Sequence, residues 1–162
     1  MALLKPNYIL KKITDITPEF LDEHNIKGLL LDVDNTLAPH GKKEPDSVAG
    51  KWIKDMLAAG VKLRIISNAK NSRIKVFADK VSLPFSALSL KPLPFKIQGA
   101  VRLTGFAKKE TAIVGDQIFT DILGGNLAGI KTVLTEPIKP ENGWFFRVKR
   151  RFETKLIRRW KS

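Results

Sequence analysis

Apolar and polar positions fall along this chain in short blocks whose period switches between strand and helix. Gly28-Leu29-Leu30-Leu31 is an apolar run that stops abruptly at Asp32, the pattern of a strand buried on both faces. From Pro45 onward Ala49, Trp52, Ile53, Met56 and Leu57 recur at helical spacing, and Gly60 follows as a stop. Val61 to Ser67 predicts a second strand, and Ser72 is placed to cap a helix carrying Ile74, Phe77 and Ala78. Pro84 to Leu88 predicts a short third strand. Pro92 or Pro94 opens a helix with Ile97, Ala100, Val101 and Leu103, which Gly105 ends. Thr111 to Val114 predicts a fourth strand, Ile118 to Ala128 a helix despite Gly124-Gly125, and Lys131 to Leu134 a fifth strand. Ahead of all these, Thr17-Pro18-Glu19 reads as cap, first-turn proline and early acid of a short helix ending near His24-Asn25. Strands alternating with helices imply right-handed crossovers and a parallel sheet covered on both faces, an α/β fold.

Three stretches follow from this pattern: an N-terminal basic and apolar segment with a short helix (1–27), an α/β domain (28–138) and a basic amphipathic tail (139–162). The chain has no cysteine, which excludes disulfides and thiolate catalysis and suits a reducing compartment. No run approaches the ~18 apolar residues of a membrane-spanning helix, and the first residues show no cleavable signal, so a cytoplasmic location is expected. The formal charge of +13 on 162 residues argues for an anionic partner.

Residues with chemistry collect at predicted strand ends, where open α/β sheets place their sites. Asp32-Val33-Asp34-Asn35-Thr36 ends the first strand, Ser67-Asn68 the second, and Gly115-Asp116-Gln117-Ile118-Phe119-Thr120-Asp121 the fourth; Lys91-Pro92 precedes a helix. Two carboxylates one residue apart are costly without a cation, and hard oxygen donors suit Mg²⁺. Acids, a hydroxyl-amide pair and a lysine form a set suited to phosphoryl transfer. Alone, Ser67-Asn68 reads as a turn, Lys91 as a solvated lysine and Asp121 as a helix-start acid; His24 and His40 read as surface residues, Trp52 and Met56 as core.

The four motifs, in this order, resemble those of the haloacid dehalogenase (HAD) superfamily of phosphatases, subfamily IIIA. Over nearly its whole length the chain is similar to the YqeG family, which is related to mitochondrial phosphatidylglycerophosphate phosphatases. The resemblance implies a Rossmannoid three-layer sandwich with a mainly parallel sheet. It implies that Asp32 is a nucleophile forming an aspartyl-phosphate and that Asp34 is the general acid and base. In the same way Thr36 would position the loop and Asp34, Ser67 and the backbone at Asn68 would bind phosphate oxygens, and Lys91 would offset their charge. Mg²⁺ would be held by Asp32, the backbone carbonyl of Asp34 and Asp116, with Asp121 reaching it through water. An acid at position 34 implies hydrolysis of a phosphate ester.

Only 34 residues separate Asp32 from Ser67 and 23 separate Ser67 from Lys91, so neither interval has room for a cap domain. An open site favours a phosphate presented from a surface, and the resemblance makes phosphatidylglycerophosphate the leading substrate. The tail agrees: residues 144–162 carry eight Lys or Arg against one acid, Glu153. Phe145, Val148, Phe152, Leu156 and Trp160 form one helical stripe, with Arg147, Arg150, Arg151 and Arg158 opposite and Lys149 and Arg159 bordering it. That is the pattern of an interfacial helix, and it predicts contact with an anionic phospholipid surface at the inner leaflet; packing of the stripe on the domain is the bland alternative. Leu3, Leu4, Tyr8, Ile9 and Leu10, with Lys5, Lys11 and Lys12, read as a second basic and apolar element. The rival functions are a HAD phosphatase acting on a soluble or protein-borne phosphate, and a basic nucleic-acid or ribosome-associated protein whose HAD site is secondary.

Overall fold

Gly28–Leu31, the most apolar run of the chain, forms the central strand of a six-stranded sheet, and all four of its residues are buried. A computed structural model describes residues 2–162. Its strands are β1 (Tyr8–Leu10), β2 (Gly28–Leu31), β3 (Lys62–Ile66), β4 (Phe85–Ser86), β5 (Thr111–Gly115) and β6 (Lys131–Thr135), ordered β1-β6-β5-β2-β3-β4 with every pairing parallel. The helices are α1 (Pro18–Glu23), α2 (Ser47–Ala58), α3 (Asn71–Val81), α4 (Pro94–Thr104), α5 (Leu123–Ala128) and α6 (Trp144–Lys161). Strand alternation sorts β2 between two cores. Leu29 and Leu31 join Trp52, Ile53, Ile74 and Phe77 on the α2/α3 side, while Leu30 joins Ile97, Val101 and Ile113 on the α4 side. A run apolar at every position is what a strand covered by helices on both faces requires.

The predicted elements are present, with three differences. The first is an additional strand. Residues 8–10, read as part of a basic and apolar appendage, enter the sheet at its edge, where Tyr8 is in register with Val133. Asn7 secures this edge by donating its N–H to Thr132 Oγ1 (3.1 Å) and accepting the Thr132 N–H at Oδ1 (2.8 Å). Three residues are too few for a period to show, so no pattern announced this strand. Its Tyr8 stacks with His24 and Phe20, ring centroids 4.3 and 5.3 Å away, so His24 is part of a packed aromatic group. Second, Ser72 does not cap α3: the helix starts at Asn71, with Lys70 at the cap position and no side-chain cap. Third, the segment predicted as one helix from Ile118 is a π-helical turn (Ile118–Ile122) that continues into α5.

The Gly124-Gly125 pair is explained by close approach. A Cβ on Gly125 would lie 2.5 Å from Ile113 and 2.6 Å from Thr132, and one on Gly124 would lie 2.8 Å from Ile97 and 3.2 Å from the Pro92 backbone. These glycines seat α5 against the sheet and α4 and so hold the preceding acidic segment in place. Gly125→Ala is expected to cost about 1–3 kcal/mol as an overpacking change, read as a lower midpoint in chemical denaturation with an unchanged slope; an unchanged midpoint would contradict this packing.

Candidate active site

The carboxyl ends of β2 and β5 lie side by side in the sheet, with Leu31 in register with Val114, so the acids that follow each strand meet. One carboxylate oxygen from each of Asp32, Asp116 and Asp121 lies within 4.8 Å of the others, and all three residues are buried. Asp121 arrives through the π turn: it is fully buried, and its Oδ2 accepts the Gln117 N–H at 3.2 Å. Gly115 admits it, since a Cβ there would sit 2.2 Å from the Asp121 carboxyl.

Lys91 closes the group. Its Nζ donates to Asp32 Oδ1 (2.9 Å), Asp121 Oδ1 (2.6 Å) and the Ile66 carbonyl (3.2 Å). Burial opposes the ammonium, but the charges of Asp121 and Asp32 outweigh it and raise the lysine's pKa further. Burial, then the charge of Asp121, pushes the Asp32 carboxyl well above its ordinary value, against the pull of Lys91. Burial and Asp121 likewise push Asp116 up to about 7, against Arg150. Even with Lys91 and Arg150 beside them, the three buried acids carry surplus negative charge, and Asp116 Oδ1 is buried with no hydrogen-bond partner among the described residues. Hard oxygens with an unpartnered lone pair are the donor set of a divalent cation, so these residues fit a metal.

The second motif supports the lysine. Asn68 Oδ1 accepts from Ser89 Oγ and from the Lys91 N–H, both at 2.8 Å, and Asn68 Nδ2 donates to the Lys91 carbonyl at 3.0 Å. The Asn68 side chain is thereby committed to holding the lysine loop. Ser67 is buried and its Oγ accepts the Ala69 N–H at 3.1 Å. Thr36 is buried beside the β2 end, but its Oγ1 has no hydrogen-bond partner among the described residues. The loop turn is instead held by backbone: Val33 O accepts from Thr36, Leu37 and Ala38, while Asn35 adopts a left-handed φ of 59°.

Asp34 does not join the acidic group through its side chain. Its carboxylate receives both guanidinium nitrogens of Arg73 and the Gly41 N–H at 3.0 Å. Partial burial pushes its carboxyl up, but the hydrogen bonds from Arg73 and Gly41 and the Arg73 charge outweigh that and hold it below the usual carboxylate range. His40 Nδ1 lies 4.0 Å from Asp34 and 3.5 Å from Glu141. In this arrangement Asp34 is an ionised acceptor, and acting as an acid requires it to leave Arg73.

Two arginines stand at the site that no motif indicated. Arg73 lies in the first turn of α3, five residues past Asn68, and that proximity to the second motif was its only signal. The apolar stripe predicts Arg150 on the solvent side of the tail helix. Instead α6 folds back over the domain, and Arg150 pairs with Asp116 Oδ2, donates to the Asp116 carbonyl (2.8 Å) and bridges Glu153 (3.0 Å). Glu153 is buried and accepts the Ile118 N–H at 3.2 Å, and Lys149 donates to Gln117 Oε1 at 2.6 Å. The signal for this contact was Glu153, a lone acid in a basic helix. The predicted stripe divides accordingly: Leu156 is buried and Trp160, with Ile157, packs on Ile118, Ile122 and Leu134, whereas Phe145, Val148 and Phe152 are exposed. At about 100° per residue Phe145, Val148 and Phe152 share an arc of about 60°, while Leu156 and Trp160 lie about 20° to 60° past Phe145, on the side of Glu153 and Ile157 that meets the domain.

Arg150 and a divalent cation would both draw on Asp116. Arg150→Gln is therefore expected to raise Mg²⁺ affinity about tenfold, the order expected for deleting one nearby positive charge. The check is the Mg²⁺-induced rise in melting temperature; a smaller rise in the variant than in the parent would refute it.

Comparisons with known proteins bear on this geometry. A HAD-hydrolase-like family model matches residues 90–137, the stretch with Lys91, Asp116 and Asp121. The "Probable phosphatase YqeG" of Bacillus subtilis is 34% identical over 152 residues, 94% of this chain and 88% of that protein. The chain belongs to the YqeG family of HAD phosphatases. The chain is also similar to the mitochondrial phosphatidylglycerophosphatase GEP4 of Saccharomyces cerevisiae, 31% identical over 144 residues, covering 79% of this chain and 75% of the yeast protein. The fold is shared with the cobalt-bound deoxy-D-mannose-octulosonate 8-phosphate phosphatase of Haemophilus influenzae, at a TM-score of 0.56 and 18% identity over 69% of each chain.

Proposed function

We propose that this HAD phosphatase is a Mg²⁺-dependent phosphomonoesterase whose substrate is phosphatidylglycerophosphate at a membrane surface. The observation that carries the chemistry is the buried group of Asp32, Asp116 and Asp121 joined by Lys91. The likeness to the yeast phosphatidylglycerophosphatase supports the lipid assignment, as does the short spacing between motifs, which leaves no room for a cap over the site.

Asp32 is the nucleophile in this reading. One of its carboxylate oxygens attacks phosphorus, the phosphorus–oxygen bond to the glycerol carbon's oxygen breaks, and the leaving alkoxide takes a proton from Asp34. Asp34 must first leave Arg73 and gain that proton, so its present pairing is a resting arrangement. Water then attacks the phosphorus of the aspartyl-phosphate, Asp34 takes the water's proton, and the phosphorus–oxygen bond to Asp32 breaks to release phosphate. Lys91 holds one Asp32 oxygen and offsets the charge gathered there. Asp32 and Asp116 would hold Mg²⁺, with the Asp34 carbonyl as a further donor and Asp121 acting through water. Bound there, the cation would neutralise negative charge on the transferring phosphoryl group. Ser67 and the Asn68 backbone are assigned to the phosphoryl oxygens.

The test is phosphate release from phosphatidylglycerophosphate in anionic vesicles, with and without Mg²⁺, beside soluble phosphate esters. Mg²⁺-dependent release that strongly favours the lipid is the expected outcome. Release from soluble esters alone would leave a phosphatase with a soluble or protein-borne substrate.

A further inference from the structure

The loop that carries Lys91 points its polar residues inward and its apolar residues outward. Ser89 and Lys91 are buried, while Leu88, Leu90, Leu93 and Phe95 are exposed, Leu90 by 54% and Phe95 by 62%. Leu88 and Leu90 hold φ values of 47° and 55°, a left-handed conformation that bulky residues rarely adopt. This conformation turns both leucines to solvent while the residues between and after them reach the site. Nothing in the catalytic group requires four large apolar side chains here.

A second set of apolar residues stands nearby. Trp144, Phe145, Val148 and Phe152 on α6 line a cleft of about 540 Å³ with Phe119, which follows Asp116. Trp144 and Phe145 are 75% and 68% exposed. The two sets belong to neighbouring segments, because Gly124, just past Phe119, packs against the Pro92 backbone and Ile97. Around α6 the exposed residues form two adjoining arcs, one apolar and one basic with Arg147, Arg151, Lys155 and Arg158. Leu156, Trp160 and Glu153 pack inward.

We propose that the Leu88–Phe95 loop and the exposed aromatic arc of α6 form a single docking ridge that seats on an anionic lipid bilayer, with the catalytic group opening beside it. The inference deepens the lipid-phosphate reading and rests on it for the orientation of the substrate. Charge selects the occupant. Apolar side chains bordered by arginine and lysine match an interface of acyl chains beneath anionic headgroups. A second copy of this chain would set two basic faces, each from a protein of charge +13, against one another. The inserting residues are therefore those of the lysine loop together with the N-terminal half of α6, and not the stripe continuing to Trp160, whose far end is occupied by the domain.

The experiment uses the full chain, vesicles of phosphatidylglycerol with phosphatidylcholine, and vesicles of phosphatidylcholine alone. Two double variants remove exposed side chains only: L93S/F95S and F145S/F152S. The parent is expected to partition onto the anionic vesicles with a blue shift in tryptophan emission that W144F abolishes. Each double variant is expected to weaken partition about tenfold or more. Hydrolysis of p-nitrophenyl phosphate and the melting temperature should stay at parental values in both. Partition unchanged in both double variants overturns the ridge and leaves charge alone as the attraction. Binding of RNA in place of either vesicle also overturns it. Failure of the parent to hydrolyse any phosphate ester would sink the catalytic reading instead, and the vesicle measurement would still decide the ridge.

Discussion

Asp32→Asn is expected to lower turnover of every phosphate ester by at least ~10⁴-fold, the scale on which removal of a catalytic nucleophile acts. The amide is a poor nucleophile, and it also removes one of the three carboxylates drawn together at the strand ends. The fold should survive, because Asn has nearly the shape of the aspartate it replaces just past β2, and because Lys91 keeps Asp121 as a partner. Removing the charge of a carboxyl whose ionisation burial and Asp121 oppose relieves part of the local repulsion. The check is a single-turnover assay beside circular dichroism. A variant that stays folded and fully active would end the covalent mechanism, whatever the substrate.

The second large effect falls on stability. Lys91→Met leaves Asp32 and Asp121 buried at the carboxyl edge of the sheet without their cation. Breaking a buried ion pair by removing one partner typically costs about 3–5 kcal/mol, which in a domain of this size lowers the melting temperature by roughly 10 °C. With Asp32 as the proposed nucleophile, turnover should also collapse, since Lys91 donates to its carboxylate. The diagnostic measurement is the double variant K91M/D121N. If the loss comes from uncompensated charge, removing the second carboxylate recovers a large part of the melting temperature without restoring activity, a non-additivity that a double-mutant cycle records. Strict additivity would place the cost in lost packing of the lysine stem.

The central sheet was legible because its signals are local. Leu29-Leu30-Leu31 ending at Asp32, and Ala112-Ile113-Val114 ending before Asp116, each declare a buried strand with an acid at its carboxyl end. Parallel pairing of β2 with β5 then brings those acids together. Asp121 was ambiguous by sequence, since an acid at the start of a helix is ordinary. Its burial, its contact with Lys91 and the glycine at position 115 that makes room for it show that it belongs to the group. Strand β1 was missed because three residues carry no measurable period, and its pairing partner lies more than a hundred residues away. The tail is a helix as its period predicts, and part of its apolar stripe, Leu156 and Trp160, packs on the domain, but so does Arg150 from the face expected in solvent. Periodicity shows that a helix has faces but does not say which one the domain covers.

The residue pattern alone therefore determined strands β2 to β6, most of the helices, and which acids, lysine and hydroxyl stand beside the strand ends, because strand and helix periods and motif spacing act within a few residues. Tertiary structure alone decided which charges meet. The pairing of Arg73 with Asp34, of Arg150 with Asp116, and of Lys91 with two aspartates joins residues 30 to 59 positions apart. No local propensity encodes such contacts; they arise when the sheet order and the return of α6 bring oppositely charged groups into one poorly hydrated place, where leaving any of them unpaired is costly.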